Sequence, residues 1–425
     1  MVRNILASDN VLSFFICAPK DGSGVVGLII GQCGADRDYV FYLARSPAKR
    51  DKRSSFDDIE EDLVLDHAKQ ISRMLPGGMN ILGIVVSHPE DVTSPLHPKV
   101  KSLLSNLCKT LDYNRFYGNA KKEMIILSFI PKPQKYICKE YNISNGTLQL
   151  ADFKFTSKKL KWYRIDCALL IDELYYLDKE ENKSSLEEHI KAILEQIQKK
   201  LNNVEFIIDN QYKNKDECIE SYFKKKISKR GSKKDDADDD RPLTALALFK
   251  QDFPSSPSMH QVKESSGSLK MTGKIISRIW VQSKTTVAEI SEFLKQDIMC
   301  SLASRCEMHV DSLTEEEISE GINCIHEPPR RVLISLPDIE PMFSDYLFPG
   351  EGPLGAKTSL EELFGVKFEG KLISEDLEGE ADMSKFYDSK VVIKLESTSS
   401  GKFMYSAIGL AVIILLVALL IHTYL

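Results

Sequence analysis

The sequence predicts a mixed α/β (α+β) chain whose soluble regions end in a single C-terminal transmembrane helix. Three observations carry this. Residues 403–421 form an uncharged apolar run, apolar residues elsewhere recur with strand and helix periods in turn, and a charged, Ser/Pro-rich stretch near the middle interrupts both patterns. Together they divide the chain into regions 1–150, 151–222, 223–270, 271–400 and 401–425.

Region 1–150 reads as one α/β domain. Val11–Cys17 and Val25–Ile30 are β-branched and aromatic runs around Lys20-Asp21-Gly22-Ser23-Gly24, a hairpin pattern. Asp38–Ala44, Asn80–Ser87 and Met124–Ile130 are further strands, the last stopped by Pro131 and Pro133. Helical spacing over Ile59–Leu75 predicts a helix ended by Pro76-Gly77-Gly78, and Val100–Leu111 predicts a second.

Region 151–222 continues with a strand over Trp162–Ile171. Ser184-Ser185-Leu186-Glu187 has the capping-box form, in which side chains satisfy orphan helix amides. Leu186, Ile190, Ile193, Ile197 and Leu201 mark one face of the helix that follows, and Val204–Asp209 is a return strand. In 223–270, Lys224–Lys234 is basic, Asp235–Asp240 is acidic and Asp252–Ser268 is rich in Ser and Pro. Such composition buries too little apolar surface to order itself, so a disordered linker is expected, with a short helix at Leu243–Phe249. In 271–400, Lys274–Gln282 is a strand, Thr286-Val287-Ala288-Glu289 caps a helix reaching about Leu302, and Arg331–Leu336 and Val391–Leu395 are strands.

The final run carries twelve strongly apolar residues: Phe403, Ile408, Leu410, Val412, Ile413, Ile414, Leu415, Leu416, Val417, Leu419, Leu420 and Ile421. At a helical rise it spans about 29 Å, the thickness of a hydrocarbon core. Each of these residues favours insertion by about 0.3–0.6 kcal/mol. Lys402 precedes the run and no basic residue follows it, which places the bulk of the chain in the cytosol. Only His422–Leu425 follow, so insertion after translation is expected, and the absence of a basic tail favours the endoplasmic reticulum. Val11–Ala18 is too short to span and lacks a cleavage site, so no signal peptide is expected.

Composition agrees with a cytosolic bulk. The nine cysteines are odd in number, scattered, and free of Cys-x-x-Cys, as in a reducing compartment. The sequons at Asn142, Asn145 and Asn182 are then expected to stay unmodified. A net charge of -6 argues against nucleic acid as a partner.

Catalytic signatures are weak. Gly22-x-Gly24-x-x-Gly27 matches a dinucleotide fingerprint, but Val25, Val26, Leu28, Ile29 and Ile30 have strand composition where a helix must begin, so a glycine-rich hairpin is expected. Cys300, Cys306, His309, Cys324 and His326 cluster in sequence, yet their spacing does not suit one loop presenting two zinc ligands, and ordinary core thiols and surface imidazoles are expected. His67, His97, His189 and His260 lie in polar contexts and read as surface residues. Lys224–Lys234, neutralised by the adjoining aspartates, reads as a solvated face.

Gly83-Ile84-Val85-Val86-Ser87-His88-Pro89 resembles the strand end of the MPN (JAMM-type) metallopeptidase fold, where Gly-x-x-His-Ser-His-Pro supplies two zinc ligands. That chemistry needs two imidazoles, a carboxylate and a water that zinc acidifies. In this chain the first His position is Val86, the second is His88, the following Ser position is Leu96 and the Asp position is Lys99. One ligand of three does not hold catalytic zinc. The segment is either an MPN-like N-terminal domain that is inactive and serves for pairing, or an unrelated strand followed by Ser-His-Pro. No cofactor is expected.

Ser13-Phe14-Phe15-Ile16-Cys17-Ala18-Pro19, Gly27-Leu28-Ile29-Ile30-Gly31-Gln32, Met79–Val86 and Trp162-Tyr163-Arg164, with the C-terminal anchor, resemble the odorant-response-abnormal-protein-four family over roughly residues 10–395. The resemblance implies a non-enzymatic, tail-anchored adaptor of the endoplasmic-reticulum membrane. It implies assistance to folding or export of G-protein-coupled receptors, including odorant receptors bound for cilia. It also implies a partner, the ubiquitin-fold-modifier-specific protease, held at the membrane as a heterodimer. The rival reading is a tail-anchored metal-dependent isopeptidase.

Overall fold

The first element, strand β1 (Arg3–Ser8), lies in a stretch without a clear strand pattern and owes its place to two parallel neighbours. The structure, a computed structural model, describes residues 2–16, 24–47, 59–113, 116, 121–178, 185–223, 241–249, 265–315, 326–365, 367 and 374–379. These fall within one unit, Met1–Glu380; the second unit, Ala381–Leu425, lies outside the described residues.

After β1 come a 3-10 turn (Asp9–Leu12) and the short helix α1 (Ser13–Ile16). They replace the strand expected from Val11 onward. Val11, Phe14 and Phe15 sit at helical spacing and are all buried, and β2 (Val25–Gln32) pairs instead with β3 (Asp38–Arg45) and β4 (Met79–Ser87). High β-propensity finds no free strand edge here, so tertiary pairing overrides it. Helix α2 (Glu61–Met74) precedes β4, and α3 (Pro98–Tyr113) precedes β5 (Glu123–Ile130). Strands β6 (Lys135–Asn142) and β7 (Leu148–Thr156) were not anticipated. The order β1-β3-β2-β4-β5-β6-β7 closes into a barrel by parallel pairing of β7 with β1, so the barrel runs past residue 150.

Alternation along each strand sorts the barrel's two faces. Ile5, Ile29, Val40, Val85, Ile125 and Leu127 pack inside with Phe14 and Phe15. Val26, Leu28, Ile30, Ile84, Val86 and Ile126 face outward into a layer shared with Ala68 and Ile71 of α2 and Leu103, Leu104 and Leu107 of α3.

The next sheet consists of β8 (Tyr163–Asp178), β9 (Val204–Ile208), β10 (Leu243–Phe249) and β11 (Ser265–Val281), ordered β11-β8-β10-β9. Helices α4 (Leu186–Asn202) and α5 (Val287–Glu315) bury their apolar sides against it. The α4 capping box joins Ser185 to Glu188, one residue later than expected, while Thr286 and Glu289 cap α5 as expected. Helix α5 continues well beyond Leu302.

Two expectations for 223–270 are corrected. Leu243–Phe249 is a strand rather than a helix: Leu243 and Ala245 are buried between β8 and β9 while Thr244, Leu246 and Leu248 face away. Ser265–Lys270 also lies in β11, so the stretch is not wholly a linker; 224–240 and 250–264 lie outside the described residues. One sheet thus draws strands from both sides of the expected boundary.

A third sheet, β12 (Arg330–Ile334), β13 (Phe343–Leu347) and β14 (Ser374–Glu375), has the order β13-β12-β14 and is joined by α6 (Pro353–Phe364). Its Val332, Phe343, Leu360 and Phe364 enter the same apolar layer as Phe41, Trp162 and Trp280, which welds it to the barrel. The expected strand Val391–Leu395 and the whole apolar run Phe403–Ile421 lie outside the described residues. Among the described residues no helix is long and apolar enough to cross a membrane.

Candidate functional site

The four positions singled out by the MPN pattern fall on β4 (Val86), on the segment after it (His88 and Leu96) and in the first turn of α3 (Lys99). Gly83 lets β4 and β5 approach closely: a Cβ there would fall 1.9 Å from the Ile125 carbonyl oxygen. Val86 is fully buried and belongs to the apolar layer beneath α2 and α3, paired in register with Val26 and Ser128. Leu96 packs against that same layer. His88 lies just past the strand, its amide donating to the Phe129 carbonyl (3.0 Å) and its Nδ1 accepting from the Glu90 amide (3.1 Å). Lys99 Nζ stands 3.6 Å from Glu61 Oε1, linking α3 to α2. Val86 and Leu96 act as core, while His88 and Lys99 fasten a turn and a helix pair. Among the described residues no group of three or more His, Cys, Asp and Glu side chains is placed to hold a metal.

The other sequence candidates resolve differently. Gly27 lies within β2, where a Cβ would meet the Ala44 carbonyl oxygen at 2.5 Å, so it serves strand packing. Cys300 and Cys306 are buried along α5, and burial pushes their thiols up to about 12 and about 11. The His309 and His326 rings stand 5.2 Å apart, and Cys324 lies outside the described residues. His67 is not a surface residue: it is 3% exposed, its Nε2–H donates to the Leu363 carbonyl (2.8 Å), and its Nδ1 accepts from Ser46 (3.2 Å). Burial lowers its pKa and so favours the neutral ring, while the Leu363 carbonyl, which can only accept, sets the tautomer. His97 and His189 are half-buried, and His260 lies outside the described residues. A cavity of ≈ 60 Å³ beside Arg3, Cys33, Lys121 and Cys300 has room for a few waters.

Two features escaped the sequence reading. The face of the four-stranded sheet away from α4 and α5 leaves Leu170, Leu174 and Tyr176 of β8 and Leu246 and Leu248 of β10 in solvent, an apolar area of the kind that marks contact surfaces. Beside β11, the edge strand of that sheet, Glu375, Asp376 and Glu378 meet arginines of β11, α5 and β12. Arg278 Nη1 donates to Glu375 (2.6 Å), Arg305 Nη2 to Glu378 (2.7 Å), and Arg330 Nε to Asp376 (2.9 Å). The amides of Ile276 and Arg331 also donate to Glu378, at 3.0 and 3.1 Å. Asp166, half-buried but bonded by Arg164 and Arg278, stays below the usual carboxylate range. The partners lie far apart in sequence, so no spacing rule could have exposed them.

Residues 27–375 match the family described as ODR4-like, Odorant response abnormal 4-like. A protein odr-4 homolog of Drosophila melanogaster is 24% identical over 92% of this chain and 90% of its own length. The Mus musculus homolog is 28% identical over 89% of this chain and 86% of its own, and the Homo sapiens homolog 28% over 83% and 80%. Among solved structures, the UfSP crystal structure from C. elegans aligns with a TM-score of 0.41 at 9% identity, covering 87% of this chain and 58% of that one. The chain belongs to the ODR4-like family.

Proposed function

We propose that the chain is a non-enzymatic, tail-anchored adaptor of the endoplasmic-reticulum membrane. It assists folding and trafficking of G-protein-coupled receptors, odorant receptors of cilia among them, and recruits the ubiquitin-fold-modifier-specific protease to that membrane as a heterodimer. Its barrel acts as a degenerate MPN module used for pairing.

One observation carries the non-enzymatic part. Where the MPN pattern needs a first imidazole and an acid, this chain has a buried Val86 and an ion-paired Lys99. Leu96 completes the apolar filling. The uncharged run 403–421 supports the anchor, and the uncovered apolar face of the four-stranded sheet supports a role in contacts. Anchoring confines cytosolic domains to a surface and raises the local concentration of a bound partner without tight affinity.

The test is a purified full chain assayed alone and with the protease. No cleavage of modifier-linked substrate is expected from the chain alone with zinc supplied, and a stable complex is expected when the protease is added. Zinc-dependent cleavage by the chain alone, with stoichiometric bound metal, selects the isopeptidase reading instead.

A further inference from the structure

We propose that the cleft between β11, α5 and β12 is an acidic-peptide receptor that the chain fills with its own residues 374–379. An acidic partner segment carrying two carboxylates three positions apart would then compete for the same arginines. This inference stands apart from the adaptor reading.

The walls come from three separate elements. Arg278 lies on β11, Arg305 on α5 and Arg330 on β12, and their side chains are 3%, 12% and 11% exposed. Each is held by the body of the protein as well as by the segment. Arg278 also bonds Asp166 at 2.8 and 3.2 Å, Arg305 bonds Ser301 Oγ at 2.8 Å, and Arg330 bonds the Glu351 carbonyl at 2.9 Å. The cationic row therefore keeps its geometry when the segment leaves, which is preorganisation for an anionic ligand.

The occupant is attached lightly apart from its charges. Its ladder pairing is two residues long, Ser374 opposite Ile334 and Glu375 opposite Leu333. Leu377 adds a partly buried apolar contact. The rest is carboxylate chemistry. Glu378, 6% exposed, takes the Arg305 guanidinium and two backbone amides, while Glu375 and Asp376 each take one arginine. Charge-assisted contacts of this kind are strong, directional and weakened by salt. The two amides belong to Ile276 and Arg331, where the segment lies against the body, so water can replace Glu378 on its departure. The cis segment holds its place through high effective concentration, and a trans peptide must overcome that advantage.

The experiment uses the full chain and a fluorescent peptide copying residues 372–381. In hydrogen exchange of the wild type, excess peptide should speed exchange at 374–379 at least fivefold while the Ile276 and Arg331 amides stay protected. In a Glu375→Lys/Glu378→Lys chain, whose own segment is repelled, the peptide should bind at least tenfold tighter than to wild type. A peptide with both glutamates replaced by glutamine should lose that binding. Unchanged exchange in the wild type at saturating peptide overturns the proposal, and that readout needs no variant to fold. Equal peptide affinity for wild type and a folded double variant overturns it as well.

Discussion

Asp297 on α5 and Arg331 on β12 form a bidentate ion pair, 2.7 and 2.9 Å, with side chains 1% and 3% exposed. Asp297 also accepts the Gly77 amide (2.8 Å), so one carboxylate joins α5, β12 and the turn after α2. Burial opposes the Arg331 charge, but Asp297 more than offsets it and raises the guanidinium pKa further. Arg331→Met alone leaves a buried carboxylate without its countercharge, for a loss of about 3–5 kcal/mol. Denaturant unfolding should show this loss, with a smaller loss in Asp297→Leu/Arg331→Met than the two single losses added. Full additivity would mean the two side chains act independently.

Val86→His supplies the first imidazole of the MPN pattern and tests what that position does. An imidazole there enters a fully apolar layer without a partner, a loss of about 1–3 kcal/mol. The unfolding midpoint should fall, and the variant should retain no zinc after dialysis. A stable variant that holds zinc tightly would show that a working ligand set survives around His88.

Burial lowers the His67 pKa, so between the folded value and about 6.5 the unfolded chain binds more protons. Stability from this group therefore rises with pH across that window and is complete above it. Asp345 works in the opposite sense. Burial raises its pKa from 3.8 to about 6, so the folded chain binds more protons between those values and stability falls as pH rises through them. Asp345→Asn should gain about 1–2 kcal/mol at pH 7, after discounting for partial exposure, and nothing below pH 4. His67→Gln should flatten the dependence just below about pH 6.5. Unfolding followed as a function of pH separates the two, and parallel curves for wild type and variants would refute both assignments.

Asn142 is the sequon best described by the structure. Its Oδ1 accepts the Ser144 amide (2.9 Å) and its Nδ2 donates to Glu123 Oε1 (2.9 Å). A glycan on Nδ2 would displace the Glu123 contact. Endoglycosidase treatment of the chain from cells should leave its mobility unchanged, and a shift would place these residues on the lumenal side.

Much of the fold was legible because periodicity is local. The outward residues Val26, Leu28 and Ile30, the helix spacing of α2 and α4, and the Thr286–Glu289 cap all announce themselves within a few residues. The misreadings share a non-local cause. Leu243–Phe249 has helix-forming composition but fills a slot between two strands, and Val11–Ile16 has strand composition but forms a turn and short helix packed into the barrel core. His67 seemed exposed because its partner, Leu363, lies 296 positions away. The same holds for Arg278 and Glu375, 97 positions apart. At the candidate site, the departures of Val86, Leu96 and Lys99 from the MPN pattern are readable from residue identity alone, whereas their roles as core and fastening need the fold.

Membrane fractionation of the full chain against a chain ending at residue 400 tests the tethered-adaptor proposal most directly. The full chain should resist alkaline extraction and carry the protease into the membrane pellet. The shortened chain should move to the soluble fraction with the protease still bound. A shortened chain that stays with membranes, or a protease whose distribution ignores the deletion, would contradict tethering through residues 401–425.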